Sequence, residues 1–541
     1  MSRESEKLFE ALGEVRDEFV DEAVQTKFRK KRPVWLRFGA VAAALGVAVG
    51  VGAYALPRLG MGGTSAPNAA TGGSGSDGGS VFMSYEGPVF PLTLAEENDA
   101  VTAERTLTLD FAPWEPVWVS NEAQLDQARS YGATEEELLA HAADLERWYP
   151  EGGYYDKGTD LRVRDEYVLT NSTDEEQVVG ILYPYASALR YHRAEAPTLT
   201  ADGAELDTEL VAGDYVGGFR GAGGENDGRL NLDQPDSWED YQTALSGGGY
   251  LSTALDEFPD LSGVPVILYT FTEPWSETEE ENVSVQVRFD VDGERTKLLS
   301  LNFHMGWSDD GNGRQALGFD IPPEWRKDHG QPYYFLVVGK DLQDVEIGGI
   351  VWEDGEEKPV QAGVTVTREE TDLDTALRLA ARELYEDDWM FGEAIEADFE
   401  LYYGLLCEYL LDYGALAEDP AERYDNGWLQ SVDFEIVERV FYAKTTVTLP
   451  ANGSVTVTAE LTKHASFDYA CTGSENVGVS GYDAVTTLGS DLTFTAQSAR
   501  LEDRGLIDIV RENFGFDLET GATEVELDLD REHYYIEVRR K

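Results

Sequence analysis

Cysteine is nearly absent from this chain: Cys407 and Cys471 are the only two among 541 residues. Two thiols cannot build a structural zinc site, and neither belongs to a CxxC pair. Outside a cell they can pair as a disulfide. The apolar run Leu405-Leu406-Cys407, followed by Leu410-Leu411, favours a buried free thiol at Cys407 instead. Histidine is scarce as well. The six are His141, His192, His304, His329, His464 and His533, with no HxH, no HExxH and no i, i+4 pair, which excludes the zinc-hydrolase motifs. There is no GxSxG elbow, no P-loop and no GxGxxG after a strand. The glycine-rich residues 217–224 lack a lysine and a following helix, and Glu225 and Asp227 would repel phosphate, so they read as a loop. No cofactor is expected.

Positive charge is the third shortage. Lys and Arg number 42 against 104 Asp and Glu, a net charge of −62. The imbalance begins late: residues 1–33 hold eight acidic and eight basic side chains, whereas from Leu59 onward there are 96 acidic and 32 basic. Such a surface repels nucleic-acid phosphate and anionic lipid, so no nucleic-acid partner is expected for it. It keeps a protein soluble, and it concentrates cations or basic partners.

Only one long apolar run is present. Residues 38–56 carry no charge, and as a helix these 19 residues would span about 28 Å, close to a bilayer core. Trp35 and Tyr54 stand near its ends, as interfacial rings do. The charged stretch before it is too long for a signal peptide, so a retained anchor is expected, with the lipid bilayer as its partner. Lys27, Arg29, Lys30, Lys31, Arg32 and Arg37 on one side, against Arg58 on the other, place the N-terminus in the cytoplasm and the rest outside a cell membrane crossed once. Ala42, Gly46 and Gly50 form a small-residue stripe within the run.

Residues 4–25 read as an amphipathic helix, with Leu8, Leu12, Val15, Phe19 and Ala23 at three- and four-residue steps. The tail has no core of its own, so the stripe Leu8, Leu12, Val15 and Phe19 must meet a cytoplasmic protein partner, the membrane surface or a second copy, or else remain a marginal solvated helix. Residues 57–80, rich in Gly and Ser, read as a flexible linker.

Beyond residue 80 strand patterns dominate. Val101, Ala103, Arg105, Leu107, Leu109 and Phe111 alternate with polar residues. Residues 163–170 and 177–183 flank the polar turn 171–175; 447–449 and 454–461 flank 450–453; 283–289 and 296–303 flank 290–293. Each reads as a strand, a turn and a strand, and together they predict antiparallel β-sandwich modules. Thr134 with Glu137 forms a capping box before Leu138, Leu139, Ala142 and Leu145. A helical segment is predicted over about 374–413, with a break near Gly392. The fold class expected is mainly β, antiparallel sandwiches with a helical segment, plus one N-terminal transmembrane helix. The expected division is 1–33 tail, 34–56 transmembrane helix, 57–80 linker, 81–255 and 256–370 β-rich modules, 371–427 helical segment and 428–541 C-terminal β-rich module. A second arrangement joins 81–230 with 428–541 and inserts the middle. The sequence does not separate the two.

Carboxylates are so numerous that no acid/base pair stands out, and catalysis is not expected. Asp309, Asp310 and Asn312 lie in an oxygen-rich loop and are the calcium candidates, although the spacing does not fit an EF-hand and Asx-Gly clusters form turns first of all. A second such loop holds Glu225, Asn226, Asp227, Asn231 and Asp233. Trp238, Tyr241, Trp275, Trp307 and Trp325 are the aromatics that would suit a glycan or peptide surface.

The tail residues Leu8-Phe9-Glu10-Ala11-Leu12-Gly13 and Asp17-Glu18-Phe19-Val20-Asp21-Glu22-Ala23, the basic run to Arg32 and the Ala-rich span have a familiar layout. It resembles that of poorly characterised membrane-anchored proteins of Gram-positive gut-type bacteria, whose tails look like those of membrane-bound anti-sigma regulators. The stretches at 167–175 and 449–457 look like the outer regions of the same proteins. The resemblance brings no known activity and no site residues. It departs from the zinc-binding anti-sigma pattern, since no Cys precedes Cys407 and no His precedes His141. The expectation is a membrane-anchored sensor or regulator. The alternatives are a passive surface binding or display module and, distantly, an envelope hydrolase.

Overall fold

A computed structural model of the chain describes residues 84–85, 87–130, 135–215, 258–278, 283–308, 314–321, 332–353, 356–386, 395, 397–418, 427–432, 434–436, 438–468 and 476–541. They fall into two compact units. The smaller holds Pro116–Lys157 and the larger holds the remaining described residues.

The larger unit is built on a seven-stranded sheet. Strand Val101–Asp110 buries Val101, Ala103, Leu107 and Leu109 and turns the intervening threonines outward, as its alternation requires. It pairs antiparallel with strand Leu161–Asn171, which pairs antiparallel with Ser454–Lys463, which pairs with Thr198–Ala201. On its other side it runs parallel to Thr493–Glu502. The sheet thus takes strands from both ends of the described chain. Facing it are Gln177–Ala188 with Glu438–Leu449, and Val479–Val485 with His533–Arg540. Val163, Tyr167, Val457 and Ala499 from the first layer share one core with Ile181, Tyr183, Phe441 and Ile536 from the second.

The three polar turns are not hairpins. Strands Leu161–Asn171 and Gln177–Ala188 lie in different sheets, as do Glu438–Leu449 and Ser454–Lys463, and Ser284–Asp290 and Thr296–Leu301. Each turn is an arch that carries the chain from one layer to the other. Alternation marks one buried face per strand and is satisfied equally by either connection. The first two arches interlock, strand for strand, over twelve residue pairs in one sheet and ten in the other. Their turns are bonded together: Asn171 N donates to Gly453 O (2.9 Å) and Asn452 N donates to Thr173 O (2.7 Å).

A second pair of sheets occupies the middle of the chain. One holds Thr296–Leu301, Tyr333–Gly339, Pro265–Ser276 and Ala362–Asp372; the other includes Arg314–Asp320, Ser284–Asp290 and Gln343–Glu353. Between them Phe303 lies 5.4 Å from both Phe271 and Phe319 and 4.3 Å from Phe335. The opposite face of the first sheet presents Val266, Leu268, Leu299 and Leu336 to Leu373, Ala376, Leu377 and Ala380 of helix Leu373–Glu386. That helix begins on Asp372, whose carboxylate accepts from Thr375 N (2.9 Å). Helix Phe399–Asp412 is separate and is capped by Asp398.

The expected fold class is corrected at its membrane component. The structure is mainly β, with several antiparallel sheets and few helices. Among the described residues no helix is long and apolar enough to cross a membrane. The span expected at 34–56, the tail with Leu8, Leu12, Val15 and Phe19, and the linker all lie outside the described residues. The sandwiches are also not wholly antiparallel, because Val101–Asp110 and Thr493–Glu502 run in the same direction.

The smaller unit is a ribbon with two helices. Strand Val117–Ser120 leads into helix Asn121–Ser130; helix Glu135–Trp148 follows, and strand Gly153–Asp156 returns antiparallel to the first. Ser120 caps the first helix, its hydroxyl accepting from Ala123 N (3.0 Å). Among the described side chains of the second, Leu138, His141 and Leu145 are buried. Thr134, expected to cap it, lies outside the described residues.

Candidate interaction surface

In a two-stranded ribbon, residues opposite one another across the strands share a face. Trp118 stands opposite Tyr155, and Val119 opposite Tyr154. Tyr154 stacks on Tyr149, just past the end of helix Glu135–Trp148, with ring centroids 4.6 Å apart. Trp118 and Tyr155 therefore occupy the other face. Their rings meet edge to face at 5.0 Å, an arrangement worth about 0.5–1.5 kcal/mol beyond the area it buries. Both nevertheless remain open, Trp118 at 44% and Tyr155 at 60% of full exposure. Val117, next in the chain, is exposed too.

Gly153 makes this face possible. A Cβ there would come within 2.8 Å of Trp118 Cζ2 and 2.3 Å of Val119 O. Any larger residue would collide with the Val119 carbonyl as well as with the indole. The surroundings are negative: residues 116–157 carry nine acidic and three basic side chains. Burial, then the Asp156 carboxylate, then Tyr149, push the Tyr154 phenol above its usual range.

Other polar clusters are structural in geometry. Arg105 lies in the core, bidentate to Asp165 (Nε to Oδ1 and Nη2 to Oδ2, both 2.8 Å), with Nη1 donating to Val485 O at 2.7 Å. Tyr167 and Tyr183 also donate to Asp165, at 2.6 and 3.2 Å. This network joins the two layers but has no access to solvent, since Arg105 and Asp165 are fully buried. His464 stands between Asp160 (2.9 Å) and Glu195 (2.8 Å) and ties helix His192–Glu195 to the start of strand Leu161–Asn171. Ser284, Asp320 and His304 form a chain in which the carboxylate is central: Ser284 Oγ donates to Oδ1 (2.6 Å) and His304 Nε2 meets Oδ2 (3.2 Å). The His304 bond, aided by Ser284, holds Asp320 below its usual pKa range against the effect of burial. Activating a serine needs the imidazole between hydroxyl and carboxylate, and here that order is reversed. A shallow groove on the outer face of the seven-stranded sheet is lined by Thr198, Thr456, Thr458 and Arg164; Arg164 is already paired with Glu166 (3.1 Å) and Glu460 (3.7 Å).

The calcium candidates Asp309, Asp310 and Asn312 lie outside the described residues, as do Trp238, Tyr241 and Trp325. Among the described residues no group of three or more His, Cys, Asp or Glu side chains is placed to hold a metal. Trp275 is exposed and lies against Gly363, whose Cβ would meet the indole at 3.0 Å. Sequence reasoning missed Trp118 and Tyr155. The available signal was Trp118 between two valines with Gly152-Gly153 just before the tyrosine pair, but pairing them requires knowing that two helices intervene in one ribbon. No protein-family model, no curated protein and no solved structure matches the chain.

Proposed function

We propose that the protein is a recognition module whose ribbon face, Trp118 and Tyr155, meets a macromolecular partner. The observation that carries this reading is the exposed ring pair itself. Two large rings held edge to face in open solvent forgo the burial that aromatic side chains ordinarily gain, and rigid aromatics of this kind supply contact area at low entropic cost. Tyrosine and tryptophan are enriched where partners dock. This favours a binding module over an enzyme.

A photo-crosslinking residue placed at position 155 in the producing cells tests it. A discrete adduct is expected, and Trp118→Ala should abolish it. A probe at Glu104, which is exposed on strand Val101–Asp110, should give none. Equal labelling at both positions, or an adduct indifferent to Trp118→Ala, would count against the reading.

A further inference from the structure

We infer that the partner group seated on the Trp118–Tyr155 face is an arginine side chain of a basic peptide segment. This rests on the reading of that face as an interaction surface and gives its chemistry. The first argument is charge. An aromatic face attracts cations through its quadrupole, and an acidic surface raises the local concentration of cationic groups. The rings sit in a unit with nine acidic and three basic side chains, on a chain of net charge −62. A neutral or acidic partner would gain nothing from that field, and an acidic one would be repelled.

The second argument is shape. The rings make a corner, with centroids 5.0 Å apart and planes at 67°. An arginine has two parts that fit a corner: an apolar stem that lies along one ring and a planar guanidinium that stacks on the other. A lysine has the stem but only a compact, strongly hydrated head.

The third argument is what the molecule does elsewhere. Arginine lies over rings elsewhere in the molecule: Arg382 is 3.8 Å over half-buried Phe399, and Arg378 and Arg531 are 4.0 and 5.3 Å over the buried rings of Tyr403 and Tyr534. Among the described residues no arginine or lysine stands over Trp118 or Tyr155. Among the described residues, the place that arginine fills on those other rings is left open on this pair.

The test is calorimetric titration of the full chain at physiological ionic strength. The probes are an Arg-Gly repeat peptide, its Lys-Gly counterpart, and the same peptide with citrulline for arginine, which keeps shape and removes charge. The arginine peptide should bind best. Its affinity should fall at least about tenfold with citrulline and about tenfold in Trp118→Ala/Tyr155→Ala. Trp118→Phe/Tyr155→Phe, which keeps both ring faces and disturbs the fold least, should retain most of it. If the citrulline peptide binds equally well and the double alanine variant loses both, the face is an interaction surface but the arginine inference fails. If the arginine peptide binds the double alanine variant as tightly as the native chain, the acidic surface acts without the rings and the inference is overturned. If no peptide binds, the inference is likewise overturned, and the photo-crosslink at position 155 decides the fate of the interaction surface separately.

Discussion

At the scale of single residues, the core is organised by a charge that an apolar interior would ordinarily reject. Arg105 occupies an inward position in an alternating strand and is legible as such in the sequence; its neighbours on that face are Ala103 and Leu107. What no pattern announces is Asp165, sixty residues away, with Tyr167 and Tyr183 completing its shell. Arg105→Ala would leave Asp165 buried and unpaired and should cost about 3–5 kcal/mol in urea unfolding, whereas replacing both by well-packed apolar residues should cost far less. A loss under about 1 kcal/mol would mean that water reaches Asp165. Cys407 is free and buried, as its leucine-rich setting implies, and burial pushes its thiol up to about 12. In a Cys471→Ser background it should resist alkylation at pH 8 until the protein is unfolded; rapid labelling of the native chain would refute that burial. Burial also pushes Tyr269 and Tyr334 up to about 12. These groups hold their protons in the fold after the unfolded chain has released its own. The folded state therefore binds more protons at high pH, and stability should fall as pH rises from about 9 towards 12. A midpoint of unfolding that is flat across that window would contradict the assignment.

At the scale of elements, the positions of the turns at 171–175, 290–293 and 450–453 could be read from the sequence, and the partners of the strands could not. Strand alternation records which face is buried. It does not record whether the next strand pairs beside it or crosses to the facing sheet. The deciding contacts are at the turns, where Asn171, fully buried, donates from Nδ2 to Glu175 O (2.8 Å) and Pro450 O (3.1 Å) and accepts from Thr173 N (2.9 Å). Asn171→Ala should leave these groups without partners and cost about 1–3 kcal/mol. Asn171→Asp should not restore it, since a carboxylate cannot donate to the two carbonyls. A variant as stable as the native chain would show that the arches are held elsewhere. The ribbon face escapes sequence reasoning for a related reason: Trp118 and Tyr155 are separated by two helices and become neighbours only when the strands close.

At the scale of the whole molecule, strands 101–110 and 161–171 share a sheet with 454–463 and 493–502. Truncation after residue 436 should therefore expose the core of the first sandwich and abolish amide protection across 101–110 and 161–188. Protection that survives in that fragment would mean that the N-terminal strands fold without the C-terminal ones. The charge of −62 also acts at this scale. It sets up a field that would draw a cationic partner, and it is legible from composition alone, unlike the ribbon face proposed to receive one. The central claim is that a basic, arginine-bearing segment is recognised at the ribbon. Its most direct test is amide hydrogen exchange of the full chain with and without the Arg-Gly peptide. Protection that grows at 117–120 and 153–156, with 198–201 and 454–460 unchanged, is the predicted result. No change at the ribbon, or protection confined to the groove on the outer sheet, would contradict it.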